Sequence, residues 1–262
     1  MDFGGDYIGR IVDHLGETRK NNKGTNMKIV AYRSHDDIDI EFLDDFHYIK
    51  QHQVYSNFKT GGVKNPYDVT VNGVGYIGVG KYKTTLEDNP KRHTDEYNTW
   101  VTMLYRCYCD EDTVYFKESS VCKEWLCYQD FAEWYSQNKY EVKGRLHLDK
   151  DILFPGNKIY APDKCILIPQ RINMLFVNQM NKRHLPNGIT QHVKGYLAEY
   201  NNENLGTFKT LEEAYKVYSA KKKEEVVRVA NEYRNIIPEK AYNALLSYEF
   251  DMNNDRNYMI VA

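Results

Sequence analysis

The sequence lacks a dominant charge, a long apolar run and paired cysteines, and each absence excludes a class of protein. Its 262 residues carry 35 Lys and Arg against 37 Asp and Glu, a formal net charge of −2, which excludes a uniformly basic coat for nucleic acid. No apolar run approaches the roughly 20 residues that cross a bilayer, so no membrane partner is expected. The start, MDFGGDYIGR, has neither the basic residues nor the apolar stretch of a secretory signal, which favours a cytoplasmic protein.

The five cysteines are an odd number and form no CxxC pair. In a chain without a secretion signal, this pattern is typical of reduced thiols. A zinc site built from Cys107, Cys109, Cys122 and Cys127 is a less favoured alternative, because their spacing differs from that of a zinc knuckle or ribbon.

What the sequence does contain is a large aromatic fraction. Hydrophobic residues make up 42% and aromatic residues 14%, with 23 tyrosines and only 7 prolines, so a packed core is expected and wholesale disorder is not. Tyrosine suits half-buried sheets, interfaces and base stacking alike. Its abundance therefore does not choose between structural and binding roles.

Local patterns predict an α+β protein with domains at residues 1–90, 91–183 and 184–262. The first is β-rich, with strands at residues 27–32 and 38–43 and a hairpin at Asp44 and Asp45. Glycines at positions 61, 62, 73, 75, 78 and 80 favour a small, curved, barrel-like sheet. A GxGxxG match at residues 73–78 is rejected as a phosphate loop, because no helix follows it.

The second and third domains show helix and strand signals in a defined order. Helices are predicted to begin at Thr94 and to cover residues 128–137. They are followed by a strand (146–152), a loop (154–164), a strand (165–168) and a helix with Pro169 in its first turn. A last helix is predicted from residue 211 to about 233, where Thr210 and Glu213 form a capping box.

The strand–loop–strand–helix segment carries the residues of a metal-dependent nuclease site. His147, Asp149 and Asp151 alternate along the predicted strand, so their side chains project from one face. Asn173 on the following helix could close the site. Such a site holds one divalent cation beside a scissile phosphate and needs a neighbouring base to activate water.

Residues 97–176 resemble the HNH-related (His-Me finger) proteins of tailed phages. The matching motifs are WxxMLxRCY from Trp100, VCxEW from Val121, FxxW from Phe131, LDKDIL from Leu148, GNKxYxP from Gly156 and CxxxPxxIN from Cys165. The resemblance implies DNA cleavage with Mg²⁺ or Mn²⁺, held by Asp149, Asp151 and Asn173.

The same resemblance implies the catalytic residues and leaves one alternative open. The family's base and its metal-binding Asp fall on Leu148 and Asp149, so His147, two residues before Asp149, is the candidate base. The family's middle Asn falls near Lys164. The alternative is a finger that keeps the fold without catalysis, in which Asp149 and Asp151 form ion pairs or loop hydrogen bonds.

Residues 187–220 resemble the Apetala/ethylene-response class of DNA-binding domains. The matching segments are NGI from Asn187, YLAEY from Tyr196 and LGTFKTLEEA from Leu205. The resemblance implies a three-stranded sheet that contacts the major groove and packs on a helix. The predicted DNA contacts are Gln191, His192, Lys194, Tyr196 and Lys209. Because none of the three predicted domains is strongly basic, we expect modest, salt-dependent affinity.

Three functional hypotheses follow from the sequence, each for a protein in the cytoplasm of an infected bacterium. The first is a phage-type HNH-like DNA endonuclease or nicking enzyme with a DNA-binding tail, and the second is a DNA-binding protein on the same HNH-like core whose cleavage activity is degenerate or lost. The third is a non-enzymatic accessory protein that binds and inhibits a host defence protein. The first 90 residues resemble a small β module fused to such phage proteins. Their acidic residues are typical of a solvated hairpin, and the alternatives are a surface for a protein partner or a mimic of a nucleic-acid backbone.

Overall fold

A computed structural model of the chain describes residues 13–109, 119–177, 184–255 and 257–258. It combines helices with small sheets, which confirms the prediction of a mixed helix-and-sheet protein. Internal contacts divide the chain into two compact units, residues 1–70 with 76–80 and residues 71–75 with 81–262. The domain boundaries near residues 90 and 183 stay predictions.

The first unit contains an antiparallel sheet and a short helix. Its elements are β1 (Thr18–Lys20), β2 (Asn26–Ser34), β3 (Asp37–Phe42), β4 (Ile49–Gln53) and α1 (Tyr55–Lys59). In β3, the buried residues Ile38, Ile40 and Phe42 alternate with less buried ones, as one face of a pleated strand requires. They share a core with Tyr55 and Phe58 of α1. The two strands and the hairpin predicted here are confirmed.

The expectation of a barrel-like first domain is wrong. Within the described residues, the strands follow the order β1-β2-β3-β4 and form an open sheet with β1 and β4 at its edges. The glycine-rich segment forms turns instead of further strands. Gly61, Gly73 and Gly78 have φ angles of 73°, 72° and 74°, a region that L side chains rarely adopt. This segment adds no strand to the sheet, and β1 and β4 do not pair with each other.

The second unit is built from helices and three small sheets. Its elements are α2 (Asp95–Tyr108), β5 (Ser120–Val121), α3 (Tyr128–Asn138), β6 (Leu146–Asp149), β7 (Ile159–Tyr160), β8 (Ile166–Pro169), α4 (Gln170–Met174), β9 (Ile189–His192), β10 (Gly195–Tyr200), β11 (Glu203–Phe208), α5 (Leu211–Glu232) and α6 (Glu239–Ser247). Among the helices that the structure describes, none has the length and apolar character needed to cross a bilayer.

Aromatic side chains join α2 and α3. Trp100 of α2 is fully buried, and its indole N–H donates to the carbonyl of Trp125 at 2.7 Å. Phe131 and Tyr135 of α3 are buried as well. As predicted, α2 begins after Thr94, whose hydroxyl accepts a hydrogen bond from the Tyr97 backbone N–H. These aromatic residues are thus core residues, in agreement with their helical spacing.

The strands of the central hairpin and the last two helices share one core. β6 pairs with β8 in antiparallel register, with His147 opposite Ile168. Ile168 and Ile172 pack in one buried cluster with Val226 of α5 and Leu245 of α6. The C-terminal helices α5 and α6 therefore pack against the hairpin. Its first strand, β6, lines a cleft.

Replacing Thr210 by Ala is expected to lower the free energy of unfolding by about 1 kcal/mol. The Thr210 hydroxyl accepts the Glu213 N–H at the start of α5, and the Glu213 side chain accepts the Thr210 N–H in return. Chemical denaturation measures the loss. Ser219→Ala on the same helix is the matched control, because the Ser219 hydroxyl bonds only the carbonyl of Lys216. An equal loss in both variants would contradict the capping role.

Candidate functional site: a basic cleft beside the central hairpin

The predicted strand–loop–strand–helix order is present as β6, β8 and α4. It borders a cleft of about 520 Å³, called here the hairpin cleft. Arg92, His93 and Arg106 line it from the segment before α2 and from α2 itself. Arg145 and His147 line it from the hairpin side. The cleft thus gathers cationic side chains from three separate segments of the chain.

Positive charge dominates the lining of the hairpin cleft. Three guanidinium groups, those of Arg92, Arg106 and Arg145, are accompanied by one carboxylate, that of Asp95. Among the described residues, the guanidinium groups of Arg92 and Arg145 form no ion pair. Asn98, Thr102 and Arg106 lie on one face of α2, because they are four residues apart. A cleft of this composition can bind an anion through charge-assisted hydrogen bonds.

His147 is the central titratable group of the cleft. The amide Nδ2 of Asn173 lies 3.1 Å from its ring Nδ1. Partial burial lowers the pKa of His147 below its usual 6.5, and the charges of Arg106 and Arg145 lower it further. The ring is therefore neutral at pH 7. With Nδ1 accepting the amide hydrogen bond, the ring carries its proton on Nε2 and can donate it to a ligand.

The pKa of His147 is expected to lie below 6.5 and to rise in Arg106→Gln, because removal of a positive charge favours the imidazolium. NMR titration measures it, with the resonance assigned by its absence in His147→Gln. Arg234→Gln is the matched control, because Arg234 stacks on Tyr242 at 5.4 Å and lines neither side of the cleft. An unchanged pKa in Arg106→Gln would contradict the placement of that guanidinium near the ring.

Asp149 caps the turn that follows β6. Its Oδ1 accepts the backbone N–H groups of Asp151 and Ile152 at 2.9 and 2.7 Å. The carboxyl is buried. Burial and then the charge of Asp151 raise its pKa to about 6, against the opposing effect of the two backbone N–H groups. Asp149 is therefore a structural residue, because its carboxyl stabilises the turn by accepting these two backbone hydrogen bonds.

Asp151 is engaged by a neighbouring cation. The ammonium of Lys150 lies 2.8 Å from Asp151 Oδ1 and also donates to the carbonyl of Asn157. The Asn157 amide donates in return to the Lys150 carbonyl at 2.9 Å. Lys150 itself is buried. These contacts close the loop after β6 and place a positive charge beside Asp151.

The residues predicted to hold Mg²⁺ or Mn²⁺ do not form a fitting donor set. Asp149 already accepts two backbone hydrogen bonds, Asp151 pairs with Lys150, and Asn173 pairs with His147. Asp149 and Asp151 do not line the hairpin cleft that contains His147 and Asn173. A hard divalent cation needs several oxygen ligands directed at one point. These residues therefore do not provide the metal site that the predicted cleavage reaction requires.

Among the described residues, one group of His, Cys, Asp and Glu side chains brings three possible ligand atoms within 4.8 Å of one another: Asp37, Asp39 and His52 of the first unit. The guanidinium of Arg33 already forms ion pairs with both carboxylates of this group, at 2.8 Å from Asp37 and 2.5 Å from Asp39. These hydrogen bonds hold the pKa of Asp37 well below its usual range. Arg33 therefore takes the place that a cation would need.

Two further predicted groups lie away from the cleft. Lys164 is half-buried in the turn before β8, where its N–H donates to the Ala161 carbonyl at 3.1 Å, and it does not line the hairpin cleft. The cysteines at positions 107, 109, 122, 127 and 165 form no disulfide. Within the described part of the chain, no three of them meet as a zinc site would require.

The predicted DNA-contacting residues fall on different sides of the sheet formed by β9, β10 and β11. Gln191 pairs with Tyr196, and Tyr196 pairs with Phe208; Tyr196 and Phe208 pack on the core cluster shared with α5. By strand alternation His192 lies on the opposite, open side. Lys194 is exposed in the β9–β10 turn, and Lys209 is exposed after β11.

The arginines of the cleft are candidate binding residues that the sequence alone did not single out. Arg106 belongs to one of the matching motifs, and its spacing from Asn98 and Thr102 on the polar face of α2 was a usable signal. Arg92 lies in a polar connecting segment, and Arg145 precedes a strand. Neither position carries a local pattern that indicates a binding role.

No protein-family model, curated protein sequence or solved structure matches this chain. The resemblances to HNH-related proteins and to Apetala/ethylene-response domains rest on the sequence motifs alone. What the geometry adds is the hairpin cleft and its charges.

Proposed function

We propose that this protein binds DNA through the phosphodiester backbone, on an HNH-like ββα core whose metal-dependent cleavage is lost. The hairpin cleft carries the proposal. Arg106 and Arg145 both lower the pKa of His147 by their charge, so both guanidinium groups lie near the same imidazole. Guanidinium groups bind phosphate oxygens in a bidentate manner, and the His147 Nε2–H adds a neutral donor.

The proposed loss of cleavage is supported by the hydrogen bonds of the hairpin. A hydrolytic site needs a cation or an activated water beside the phosphate. Asp149 caps a turn, and Asp151 pairs with Lys150. Both acids therefore have structural partners. This is the arrangement expected of a finger that retains its fold and binds without hydrolysing DNA.

The three-stranded sheet supplies at most a second contact. The strands β9, β10 and β11 contain no Lys or Arg. Its cations, Lys194 and Lys209, lie at strand ends, and His192 lies on the open face. We infer that phosphate contacts at these ends assist the cleft and that base reading by Tyr196 is disfavoured by its packing on the core.

Fluorescence anisotropy with a labelled DNA duplex at increasing salt tests the proposal. Three arginines at the cleft predict a slope of log K against log[salt] of about −3, because each neutralised phosphate contributes roughly −0.9. Binding should persist in EDTA. Absence of binding at low salt, or binding with no salt dependence, would refute the proposal.

A second candidate function is binding of a host protein by the first unit. Phe46 is 48% exposed, and its ring stacks on Tyr67 with centroids 4.1 Å apart. Asp44 fixes the turn by accepting the Phe46 N–H at 3.0 Å. Exposed, rigid aromatic rings are typical anchors of protein interfaces.

This second candidate is tested by stoichiometric, nuclease-resistant capture of one host protein from a bacterial lysate. Phe46→Ser should abolish the capture. Val79→Ser is the matched control, because Val79 is similarly exposed, at 53%, and belongs to the same unit. Equal capture by both variants would exclude Phe46 as the anchor.

A further inference from the structure

His93 is held in the hairpin cleft by two contacts. Its Nδ1 lies 2.9 Å from the Thr84 carbonyl oxygen, and its ring lies 4.6 Å from that of Tyr97. A carbonyl can only accept a hydrogen bond, so Nδ1 carries the proton in the neutral ring. The Nε2 of His93 therefore holds a lone pair. The ring is exposed, so this atom can accept a proton from a ligand.

His147 lines the same cleft with the opposite tautomer. The Asn173 amide donates to its Nδ1 at 3.1 Å, so its proton lies on Nε2. The cleft thus combines one imidazole that accepts a proton at Nε2 with one that donates a hydrogen bond there. A proton acceptor, a neutral hydrogen-bond donor and the charges of the arginines can together support phosphoryl transfer without a metal.

We propose that the hairpin cleft cleaves RNA by phosphoryl transfer to the neighbouring 2′-hydroxyl. This inference rests on the proposed function only in that the cleft must bind a phosphodiester. His93 Nε2 removes the 2′-hydroxyl proton, and the 2′-oxygen forms a bond to phosphorus. The bond from phosphorus to the 5′-oxygen breaks, and that oxygen takes a proton from water. The resulting hydroxide takes the proton from His93, which restores the neutral imidazole. The products are a 2′,3′-cyclic phosphate and a 5′-hydroxyl, with no oxidant or reductant consumed.

The remaining cleft residues match the charge that develops during this transfer. The pentacoordinate phosphorus carries an additional negative charge, which Arg106 and Arg145 stabilise together with the His147 Nε2–H. Asn173 acts as a positioning residue, because its amide sets the tautomer of His147. RNA is the substrate class because its own 2′-hydroxyl is the nucleophile. DNA lacks that group, so it would bind in the cleft without being cleaved.

The test uses the full chain in EDTA with a labelled DNA oligonucleotide that contains one ribonucleotide. Mass spectrometry is expected to find a 2′,3′-cyclic phosphate on one fragment and a 5′-hydroxyl on the other. The all-DNA oligonucleotide of the same sequence should stay intact. His93→Ala should slow cleavage by about 100-fold, as expected when a positioned proton-transfer group is lost. His147→Gln should slow it by about as much, because a hydrogen-bond donor to the developing negative charge is lost. His35→Ala is the matched control, because His35 is exposed in the first unit.

Each outcome decides the inference. Binding of the oligonucleotide without cyclic phosphate would overturn RNA cleavage and leave the DNA-binding proposal standing. Failure to bind either oligonucleotide would overturn both proposals. Cleavage that persists in the double variant His93→Ala with His147→Gln, or that occurs equally in the all-DNA strand, would also overturn the inference. The comparison of the two oligonucleotides needs no variant, so a folding defect in a variant does not weaken it.

Discussion

Replacing Arg106 and Arg145 together by glutamine is expected to weaken DNA binding by about 100-fold. Each guanidinium is expected to form charge-assisted hydrogen bonds to phosphate, which contribute roughly 1.5 kcal/mol or more apiece, and 1.4 kcal/mol corresponds to a tenfold change in Kd. The salt slope should also decrease by about 2, because two phosphate contacts are lost. Anisotropy titrations at several salt concentrations measure both quantities.

The double variant has a matched control on the same unit. Arg234 is exposed and lies outside the hairpin cleft, so Arg234→Gln should leave both affinity and salt slope unchanged. Since Arg106 and Arg145 are themselves exposed, the double variant should stay folded, and its melting temperature is measured beside its affinity. An unchanged salt slope in a stable double variant would show that the DNA contact lies elsewhere on the protein. The sheet-end residues Lys194 and Lys209 would then be tested next.

Asp149→Ala and Asp149→Asn are expected to change stability in opposite directions at pH 7. Asparagine keeps an oxygen that accepts the Asp151 and Ile152 N–H groups and removes a buried charge, so it should stabilise the fold. Alanine leaves two N–H groups without an acceptor, each at a cost of roughly 1–3 kcal/mol. We expect the free energies of unfolding of the two variants to differ by about 3 kcal/mol, as measured by chemical denaturation.

The pH dependence of unfolding provides an independent check on Asp149. Its folded-state pKa, about 6, is raised above the usual 3.8, so the folded state favours the protonated carboxyl. The resulting stability is fully present below pH 3.8 and is lost as the pH rises through about 6. The difference between these two pKa values corresponds to roughly 3 kcal/mol. Asp149→Asn should lack this component between pH 4 and 7; an unchanged pH profile would mean that water reaches the carboxyl.

The Asp149 variants also separate structure from catalysis. If Asp149 were a metal ligand, Asp149→Asn would lose metal-dependent cleavage. Any gain in its free energy of unfolding would then be unrelated to its function. On the proposed function, Asp149→Asn should bind DNA as the wild type does, because the carboxyl lies outside the hairpin cleft. Metal-dependent cleavage, DNA binding and stability measured on the same two variants therefore distinguish a turn cap from a ligand.

Elements with strong local signals could be predicted from the sequence. The start of α2 at Thr94 and of α5 at Thr210 follow from side chains that cap the first turn. The alternation of Ile38, Ile40 and Phe42 likewise predicts a half-buried strand. These signals involve residues within a few positions of one another, so no knowledge of the tertiary structure is needed.

The barrel prediction failed for the opposite reason. Closure of a sheet depends on pairing between distant edge strands, and glycine content alone does not specify such pairing. In this chain the glycines at positions 61, 73 and 78 adopt positive φ in turns, and the sheet stays open. The glycine content indicated that the chain bends in this segment, but it did not indicate which strands the bends connect.

The sequence by itself determined the mixed helix-and-sheet class, the capped helices, and the strand–loop–strand–helix order around His147. Only the tertiary structure brought Arg92, Arg106 and Arg145 to one cleft, turned Asp149 into a buried turn cap, and assigned opposite tautomers to His93 and His147. Periodicity and capping act over a few residues and can be read along the chain. Charge density, burial and tautomer depend on which distant segments pack together, and that is decided only when the core forms.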